Sequence, residues 1–306
     1  MAQECHIGSF TLSLPAMQAG LAGYSDMAMR VVARRRGCPY AVTEALLDQV
    51  LLRGGRGLEK GAILCAEDHP VAGQLMGSDA DQLARAAVLL MGQGFDVIDL
   101  NFACPVRKVM GRCRGGYLLS DPKTALAIMR RVRDALPNKP LSIKLRRALN
   151  DTSKAADAFD QVFEEARNLE YVAIAVHGRT VEQKYTGTAD WPFLKQLATR
   201  LGAHSPQLRT QNSELRTQNT PALIGSGDIY TAADALRMYR ETGVDGIWIA
   251  RGAIGNPWIF REFAALLRGQ PLPAPPSVHE QREALLEHFA LAVEVYGEEI
   301  ASRQMR

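Results

Sequence analysis

Short apolar runs alternate with amphipathic stretches along the whole chain. The apolar runs predict strands, at residues 13–18, 40–44, 71–75, 96–100, 141–145, 172–176, 222–225 and 246–250. The stretches between them place apolar residues at helical spacing, and several begin after a Ser, Asp or Thr that suits a helix N-cap. They predict helices near residues 26–36, 79–93, 121–135, 153–169, 190–201 and 231–242.

This regular alternation of strands and helices predicts an α/β fold, and more specifically a closed parallel (β/α)₈ barrel, the TIM barrel. A doubly wound open sheet is the alternative. That fold more often carries a GxGxxG turn after its first strand, and none is present here. We therefore predict a catalytic barrel over residues 1–269.

Two segments depart from this pattern. Residues 203–220 are polar and of low complexity, with the unit LRTQN at 208–212 and again at 215–219. They lie between a predicted helix and the next strand, which indicates an insertion on the amino-terminal face of the barrel, and we assign it no function. A Pro-rich linker at 270–276 indicates a domain boundary. We expect residues 277–306 to be a short C-terminal helical segment, the start of a helical domain that ends early.

Composition and charge limit the possible partners. Of the 306 residues, 47% are apolar and 23% are charged, which is typical of a globular protein. The net charge is only +3, so contact with nucleic acid would need a local basic patch. Candidates are residues 105–114 and the triplet Arg34-Arg35-Arg36, although the triplet could instead be the solvated end of a helix.

The cysteines favour a reducing compartment. Cys5, Cys38, Cys65, Cys104 and Cys113 are scattered and form no CxxC pair, so we predict neither a disulfide framework nor a metal site. The N-terminal sequence MAQECHIGSF lacks the features of a signal peptide, and no apolar run is long enough to cross a bilayer. We therefore expect a cytoplasmic protein that does not bind a membrane.

The segment around Cys104 is the most informative part of the chain. The apolar run 97–100 ends at Asn101, and Cys104 follows three residues later, ahead of a proline. A thiol there would lie in a loop at the carboxyl end of a buried strand, where α/β proteins bind ligands. A lone cysteine at such a place could also be structural. The basic, glycine-rich stretch that follows, residues 107–116, suits an anionic partner.

Polar residues also gather at or just after the carboxyl ends of the predicted strands, at Gln74, Asn101, Lys144, Arg146, His177, Arg179, Ser226–Asp228 and Arg251. Each alone could be structural, but a barrel would bring all of them to one end. The segments 225–228 and 250–252 follow strands seven and eight, the usual phosphate site of this fold. Lys144 could stabilise negative charge on a reduced flavin ring. Together these residues predict a phosphorylated planar cofactor that faces the Cys104 thiol.

The motifs that carry a family resemblance are AGYSD at 22–26, GQL at 73–75, DLNFACPVRKV at 99–109, IKLR at 143–146, VHGRT at 176–180, GSGDI at 225–229, IARG at 249–252 and GNPW at 255–258. With these motifs the chain resembles the tRNA-dihydrouridine synthases, and among them the bacterial branch lettered B. The resemblance covers residue 8 to the end of the chain, apart from the insertion at 203–220.

The resemblance implies a monomeric flavoenzyme with an FMN cofactor, NADPH as reductant and tRNA as substrate. Hydride passes from the reduced flavin to C6 of a uridine, and Cys104 matches the residue that gives a proton to C5. The implied cofactor-binding residues are Gly20, Leu21, Ala22, Gln74, Lys144 and His177 around the ring and Ser226, Gly227, Asp228, Ala250 and Arg251 at the phosphate. The implied substrate-binding residues are Asn101, Arg107, Lys108, Arg146 and Arg179.

Four positions depart from the family pattern: Gly20 replaces a proline, Ala103 a glycine, Ser226 an asparagine and Ala148 a glycine. Three other functions remain open at this stage. The chain could be an FMN enzyme that reduces a small pyrimidine or an enone. It could be a non-catalytic RNA-binding relative, or an aldolase that forms a Schiff base through Lys144.

Overall fold

The computed structural model describes residues 5–55, 62–202 and 220–305. Its strands are β1 Cys5–Ile7, β2 Phe10–Leu12, β3 Ala16–Gln18, β4 Ala41–Val42, β5 Leu46–Leu47, β6 Val71–Met76, β7 Val97–Phe102, β8 Leu141–Arg146, β9 Ala173–His177, β10 Ala222–Ser226 and β11 Gly246–Ile249. Its α-helices are α1 Met27–Arg34, α2 Asp48–Arg53, α3 Ala80–Gly92, α4 Arg107–Met110, α5 Pro122–Ala135, α6 Ser153–Asn168, α7 Trp191–Arg200, α8 Ala232–Thr242, α9 Ile259–Leu267, α10 Val278–Tyr296 and α11 Glu298–Gln304.

Eight parallel strands close into a barrel. β3, β4 and β6 to β11 pair in that order, and the ring closes where β11 pairs with β3. Each of these strands ends within two residues of the carboxyl end predicted from the sequence. The TIM barrel is thus confirmed, and the open-sheet alternative is wrong. Predicted helices also fall between the strands as expected.

An antiparallel hairpin, β1 with β2, covers the amino-terminal end of the barrel, and the sequence pattern did not indicate it. Cys5, Ile7 and Leu12 are buried among inward-facing barrel residues such as Trp248. A Cβ on Gly246, the first residue of β11, would lie 3.2 Å from Cys5 Sγ. As far as the described residues show, the hairpin covers this end, which leaves the carboxyl ends of the strands as the open end.

Side chains on the barrel strands alternate between the interior and the helical layer. Along β7, Val97 packs inside the barrel, whereas Ile98, Leu100 and Phe102 pack against the helices. Asp99 and Asn101 share the inward face with Val97, since side chains of a strand alternate with a period of two. The alternation places polar residues inside the barrel, in the half nearer the open end.

The C-terminal helices pack on the barrel through α1. Ala28 of α1, Ala292 of α10 and Ala301 of α11 are buried together, and small side chains let the helices approach closely. Glu287 of α10 accepts bonds from Arg35 at 2.6 Å and Arg36 at 2.7 Å. No helix in the parts of the chain that are described combines the length and apolarity needed to cross a bilayer.

The arginine triplet is therefore largely committed to contacts within the protein. Arg34 donates to the carbonyl groups of Asp68 and Pro70, and Arg35 and Arg36 donate to Glu287. This favours the structural interpretation of the triplet over an RNA-binding patch. The predicted insertion at 203–220 lies, except for its last residue, outside the described residues.

Candidate active site

The Cys104 loop leaves the carboxyl end of β7 and is fixed from two sides. Asn101 Oδ1 accepts the backbone N–H groups of Ala103 and Cys104, both at 3.0 Å. From the other side, the Gly116 N–H donates to the Cys104 carbonyl at 2.9 Å. A Cβ on Gly115 would lie 2.8 Å from Cys104 Cβ, so only glycine lets this backbone pack against the cysteine. The thiol is therefore held in one place at the open end.

The Cys104 thiol favours its protonated form. Burial raises its pKa above the ordinary value, and this outweighs the opposing effects of a hydrogen bond from the Val106 backbone and of the Arg146 charge. The thiol is half-buried, at the edge of the barrel mouth. A protonated, partly accessible thiol can act as a general acid.

A row of polar side chains lies inside the barrel next to this loop. Asn101 Nδ2 donates to Gln74 Oε1 at 2.7 Å, and Gln74 Nε2 donates to Asp99 Oδ2 at 2.9 Å. Ser142 Oγ donates to the other oxygen of Asp99 at 2.6 Å. Sequence reasoning did not select Asp99, although a carboxylate within the apolar run VIDL was a signal.

Lys144 projects from the middle of β8 into the same space. Its Nζ is buried and has no hydrogen-bond partner among the described residues, and it lies 4.5 Å from the centroid of the Trp248 ring. Burial lowers the pKa of Lys144 to about 7, and the charge of Asp99 opposes this shift. A buried amine without an acceptor is costly, so this site suits a ligand that brings an acceptor.

His177 ends β9 as a neutral hydrogen-bond donor. The Arg179 backbone N–H donates to His177 Nδ1 at 3.1 Å, so the ring proton must be on Nε2. Burial lowers the pKa of His177 to about 2, and the positive charge of Lys144 adds to the effect. The free Nε2–H can therefore be offered to a ligand over a wide pH range.

The end of β10 forms a cradle in which only glycine fits. A Cβ on Gly227 would lie 2.6 Å from Ala189 Cβ and 3.2 Å from His177 Cε1, and the backbone φ of +121° also favours glycine. Ser226, just before it, is buried. Gly227 thus lets the end of β10 pack against Ala189 and His177, in the segment after strand seven where this fold usually binds phosphate.

The carboxylate of Asp228 is held by arginine. Arg179 Nη2 lies 2.8 Å from one of its oxygens and 2.9 Å from the other, and the Ala189 N–H donates to it at 2.7 Å. Arg251 Nη2 lies farther away, at 3.8 Å. A phosphate near Asp228 would therefore meet the backbone and Arg251, since the carboxylate already has its partners.

Arg251 lies between two exposed tyrosines at the barrel mouth. Its guanidinium carbon is 4.9 Å from the Tyr230 ring centroid and 5.6 Å from that of Tyr185. Arg251 opens the short 3₁₀ turn 251–253, directly after Ala250. Sequence reasoning missed both tyrosines because neither lies at a strand end. They keep Arg251 at the edge of the site.

Gly20 follows β3, the strand that pairs with β11, and lies beside Gln74. A Cβ at Gly20 would lie 2.2 Å from the Thr43 carbonyl oxygen and 3.3 Å from Gln74 Oε1. The structure thus gives a steric reason for glycine at this departure from the family pattern. Leu21 and Ala22 follow in the same loop, and the Leu21 N–H donates to Ser25 Oγ at 2.7 Å.

The predicted substrate-binding residues separate into two groups. Arg107 and Lys108 are exposed on α4, close to Cys104 in the chain. Arg146 and Arg179, by contrast, are buried and donate to carbonyl groups of the 180–187 loop. Arg146 also donates to the Ala103 carbonyl at 3.1 Å. Both side chains thus hold this loop, and Arg179 Nη1 is left buried without a hydrogen-bond partner among the described residues.

The comparisons with known proteins agree with this geometry. The family model for dihydrouridine synthase matches residues 17–203 and 209–306. The chain belongs to the dihydrouridine synthase family. The resemblance seen in the motifs is thereby confirmed, as is the expectation of an oxidoreductase of this family. Among the residues that the structure describes, no group of three or more His, Cys, Asp or Glu side chains could hold a metal ion.

Relatives match nearly the whole chain. A protein named probable tRNA-dihydrouridine synthase from Rickettsia conorii is 30% identical over 96% of this chain and 82% of its own length. Proteins named tRNA-dihydrouridine synthase B, from Xanthomonas campestris and Pseudomonas aeruginosa, are 30% and 32% identical over 95% and 98% of this chain. The chain spans 81% and 84% of those two relatives.

Solved structures share the barrel at low sequence identity. A variant of NCR from Zymomonas mobilis is 16% identical, with a TM-score of 0.57 over 92% of this chain and 94% of that one. Morphinone reductase is 14% identical, with a TM-score of 0.57 over 92% of this chain and 93% of its own. At such identities the likeness concerns the fold alone.

Proposed function

We propose that this chain reduces a uridine of tRNA to 5,6-dihydrouridine, with FMN as cofactor, NADPH as reductant and Cys104 as the proton donor to C5. The observation that carries the proposal is the Cys104 thiol, which is kept protonated at the barrel mouth. Its loop follows β7, in which Asn101 is in register with Lys144 of the neighbouring strand. The proton donor and the buried amine thus belong to adjacent strands.

The residues present fit FMN on observations independent of the family. Lys144 Nζ is buried with no acceptor among the described residues, and a flavin ring offers acceptors at N1 and O2. Gly227 directly follows β10, the seventh strand of the barrel, where backbone N–H groups of this fold usually bind phosphate. A planar, phosphorylated cofactor with hydrogen-bond acceptors satisfies both features.

Each part of the site then has a role in binding. Lys144, Gln74 and the Nε2–H of His177 would bind the ring, and the loop 20–22 would line it. The backbone at 226–228 and 250–251, with the Arg251 guanidinium, would hold the phosphate. When bound, FMN supplies the hydride that is added at C6 of the base after reduction by NADPH.

The remaining step, protonation at C5, belongs to the chain itself. The Cys104 Sγ–H bond breaks as the proton passes to C5, and the thiolate recovers a proton from water. Burial keeps the thiol protonated before the step, and Asn101 holds the loop so that the sulfur stays in place. A base flipped out of the RNA would enter through the open end.

Contacts with tRNA phosphates are assigned to Arg107 and Lys108. Both are exposed, and neither makes an ion pair with any residue in the described ranges. Cationic side chains beside the proton donor can position an RNA backbone without reading its sequence. We assign Arg146 and Arg179 to holding the loop 180–187.

We also propose that the enzyme acts as a monomer in the cytoplasm, where its tRNA substrate is found.

The decisive experiment separates the two halves of the reaction. The purified chain, loaded with FMN, is reduced by NADPH without oxygen and then mixed with unmodified tRNA, and dihydrouridine is measured by mass spectrometry of the nucleosides. Cys104→Ala should keep flavin reduction by NADPH and lose nearly all product. Cys113→Ala, an exposed cysteine of the same basic segment, is the matched control and should keep both activities.

The same preparation tests the alternative functions. Reoxidation of the reduced flavin by free uracil or an enone, but not by tRNA, would favour a small-molecule reductase. Trapping of Lys144 by borohydride in the presence of a carbonyl substrate would favour an aldolase. A protein that binds tRNA but no flavin would favour a non-catalytic RNA-binding role.

A further inference from the structure

One continuous row of hydrogen bonds joins the Asp99 carboxylate, inside the barrel, to the backbone of the Cys104 loop. Gln74 Nε2 donates to Asp99 Oδ2 at 2.9 Å, and Asn101 Nδ2 donates to Gln74 Oε1 at 2.7 Å. Asn101 Oδ1 then accepts the N–H groups of Ala103 and Cys104, both at 3.0 Å. Two amide side chains thus separate a buried carboxylate from the proposed proton donor.

The chemistry at the two ends of the row fixes the direction of every bond. Backbone N–H groups only donate, so Asn101 must turn its oxygen toward Cys104 and its NH₂ group toward Gln74. Gln74 must then give its oxygen to Asn101, which leaves its NH₂ group for position 99. An ionised carboxylate only accepts, so Asp99 completes the row without a conflict between two donors or two acceptors.

Asp99 is well suited to act as a fixed acceptor. Its side chain is only 1% exposed, and Ser142 Oγ donates to its second oxygen at 2.6 Å. Burial raises its pKa to about 6, while the bonds from Ser142 and Gln74 and the charge of Lys144 lower it; both oxygens accept a hydrogen bond, as the ionised form requires. A buried polar network of this kind is stable only when every member is satisfied.

We infer that Asp99 is a positioning residue for proton transfer, because its carboxylate sets the orientation of the Gln74 and Asn101 amides and thereby holds the Cys104 loop in place. Asp99 acts on Cys104 only through these two side chains. The role of Cys104 as proton donor rests on the proposed function. The positioning of the Cys104 loop by Asp99 does not depend on that function. The directions of these bonds leave Gln74 with one N–H of Nε2 and one lone pair of Oε1 that can bind a ligand.

The test reverses the direction of the two hydrogen bonds that Gln74 makes in the row. Asn101→Asp still accepts from the loop, but it places a carboxylate oxygen against Gln74 Oε1, where two acceptors face each other. Combining it with Asp99→Asn supplies a donor at position 99, so Gln74 can turn over and its two bonds, to positions 99 and 101, can form in the opposite direction, while position 101 still accepts from the loop. The double variant has the charge of the wild type.

The rate of tRNA reduction by the NADPH-reduced enzyme should fall about tenfold or more in Asn101→Asp, since a buried polar group is left unsatisfied. It should recover most of this loss in Asp99→Asn/Asn101→Asp. The control for charge is Asp96→Asn/Asn101→Asp, because Asp96 lies just before the same strand but outside the row. This control should recover nothing. Equal recovery by both double variants, or an unimpaired Asn101→Asp, would overturn the inference.

A second readout needs no tRNA. Iodoacetamide labelling of the FMN-loaded protein, resolved by peptide mapping, compares Cys104 with the exposed Cys113 in the same sample. Asn101→Asp should raise the labelling rate of Cys104 relative to Cys113 about tenfold, and Asp99→Asn/Asn101→Asp should restore it. If the labelling rates change in this way but the wild-type enzyme does not reduce tRNA, Asp99 does position the Cys104 loop and the proposed function is wrong. An unchanged ratio in Asn101→Asp would reject the hold itself.

Discussion

The amine of Lys144 lies 4.5 Å from the centroid of the Trp248 ring, inside the barrel and without a hydrogen-bond acceptor among the described residues. The ring face attracts the cation but cannot accept a conventional hydrogen bond, so the lysine is oriented without being satisfied. In a closed barrel this arrangement is costly unless a ligand supplies the acceptor. The pair Lys144–Trp248 is therefore better explained by cofactor binding than by stability.

The first prediction concerns FMN affinity. Lys144→Met keeps the shape of the side chain but removes its charge-assisted hydrogen bond to the cofactor. Such a bond contributes about 1.5–3 kcal/mol, which corresponds to an increase in Kd of roughly 10- to 150-fold. Flavin fluorescence titration of the apoprotein measures Kd. Lys139→Met, an exposed lysine at the other end of the barrel, should leave Kd unchanged. Equal Kd values for the two variants would remove Lys144 from the site.

The second prediction tests the cradle at Gly227. Gly227→Ala would place its Cβ 2.6 Å from that of Ala189, in a backbone conformation that side chains rarely adopt. We expect the variant to lose FMN during purification. Gly255→Ala also introduces a Cβ at positive φ, but with no atom within 4 Å, so it controls for backbone strain. Retention of the flavin absorbance by Gly227→Ala would show that the phosphate is bound elsewhere.

The sequence was sufficient for the barrel because each strand carries its own signal. The run 96–100 predicted β7, which is observed at Val97–Phe102, and the same holds for the other seven strands. The hairpin β1–β2 was missed because its strands have three residues each, too few for a periodic pattern to be distinguished. Gln74 and Asn101, selected because they lie near predicted strand ends, are hydrogen-bonded to each other.

Partners across the fold could not be predicted. The pairing of Arg179 with Asp228 joins two loops that are 49 residues apart, and nothing in either motif specifies it. The same is true of Arg36 and Glu287, which are 251 residues apart. A basic residue in a motif suggests an anionic ligand, yet an internal carboxylate satisfies it equally well. For that reason, the sequence could not indicate that Arg179 pairs with Asp228.

The third prediction concerns binding of tRNA. Arg107→Ala/Lys108→Ala should weaken binding and reduce the slope of log K against log salt by about 2, since two phosphate contacts are removed. Filter binding or anisotropy at several salt concentrations measures this slope. Lys139→Ala removes a charge from the opposite end of the barrel and should leave it unchanged. An unaltered slope in the double variant would place the RNA on another surface.

The fourth prediction concerns stability. Arg30 and Asp68 form a fully buried ion pair, with Arg30 Nη2 at 2.6 Å from the carboxylate. Arg30→Met leaves that carboxylate buried with one partner fewer, which costs about 3–5 kcal/mol of unfolding free energy. Urea denaturation of the apoprotein measures the change in midpoint at an unchanged m value. Arg303→Met breaks an exposed pair with Glu299 and should have little effect. Similar midpoints for both variants would contradict the prediction.

The fifth prediction is the pH dependence of base reduction. A thiol is the proton donor only in its neutral form, and burial raises the pKa of Cys104. The donor is therefore fully present below its ordinary pKa, and it is lost only as the pH rises through the higher, shifted value. The decline of single-turnover tRNA reduction that reports loss of the acid should therefore lie above the ordinary thiol pKa, and Cys104→Ala should lack it. A decline in the reduction rate centred below pH 8 would mean that the barrel mouth stabilises the Cys104 thiolate, which would contradict its role as the proton donor.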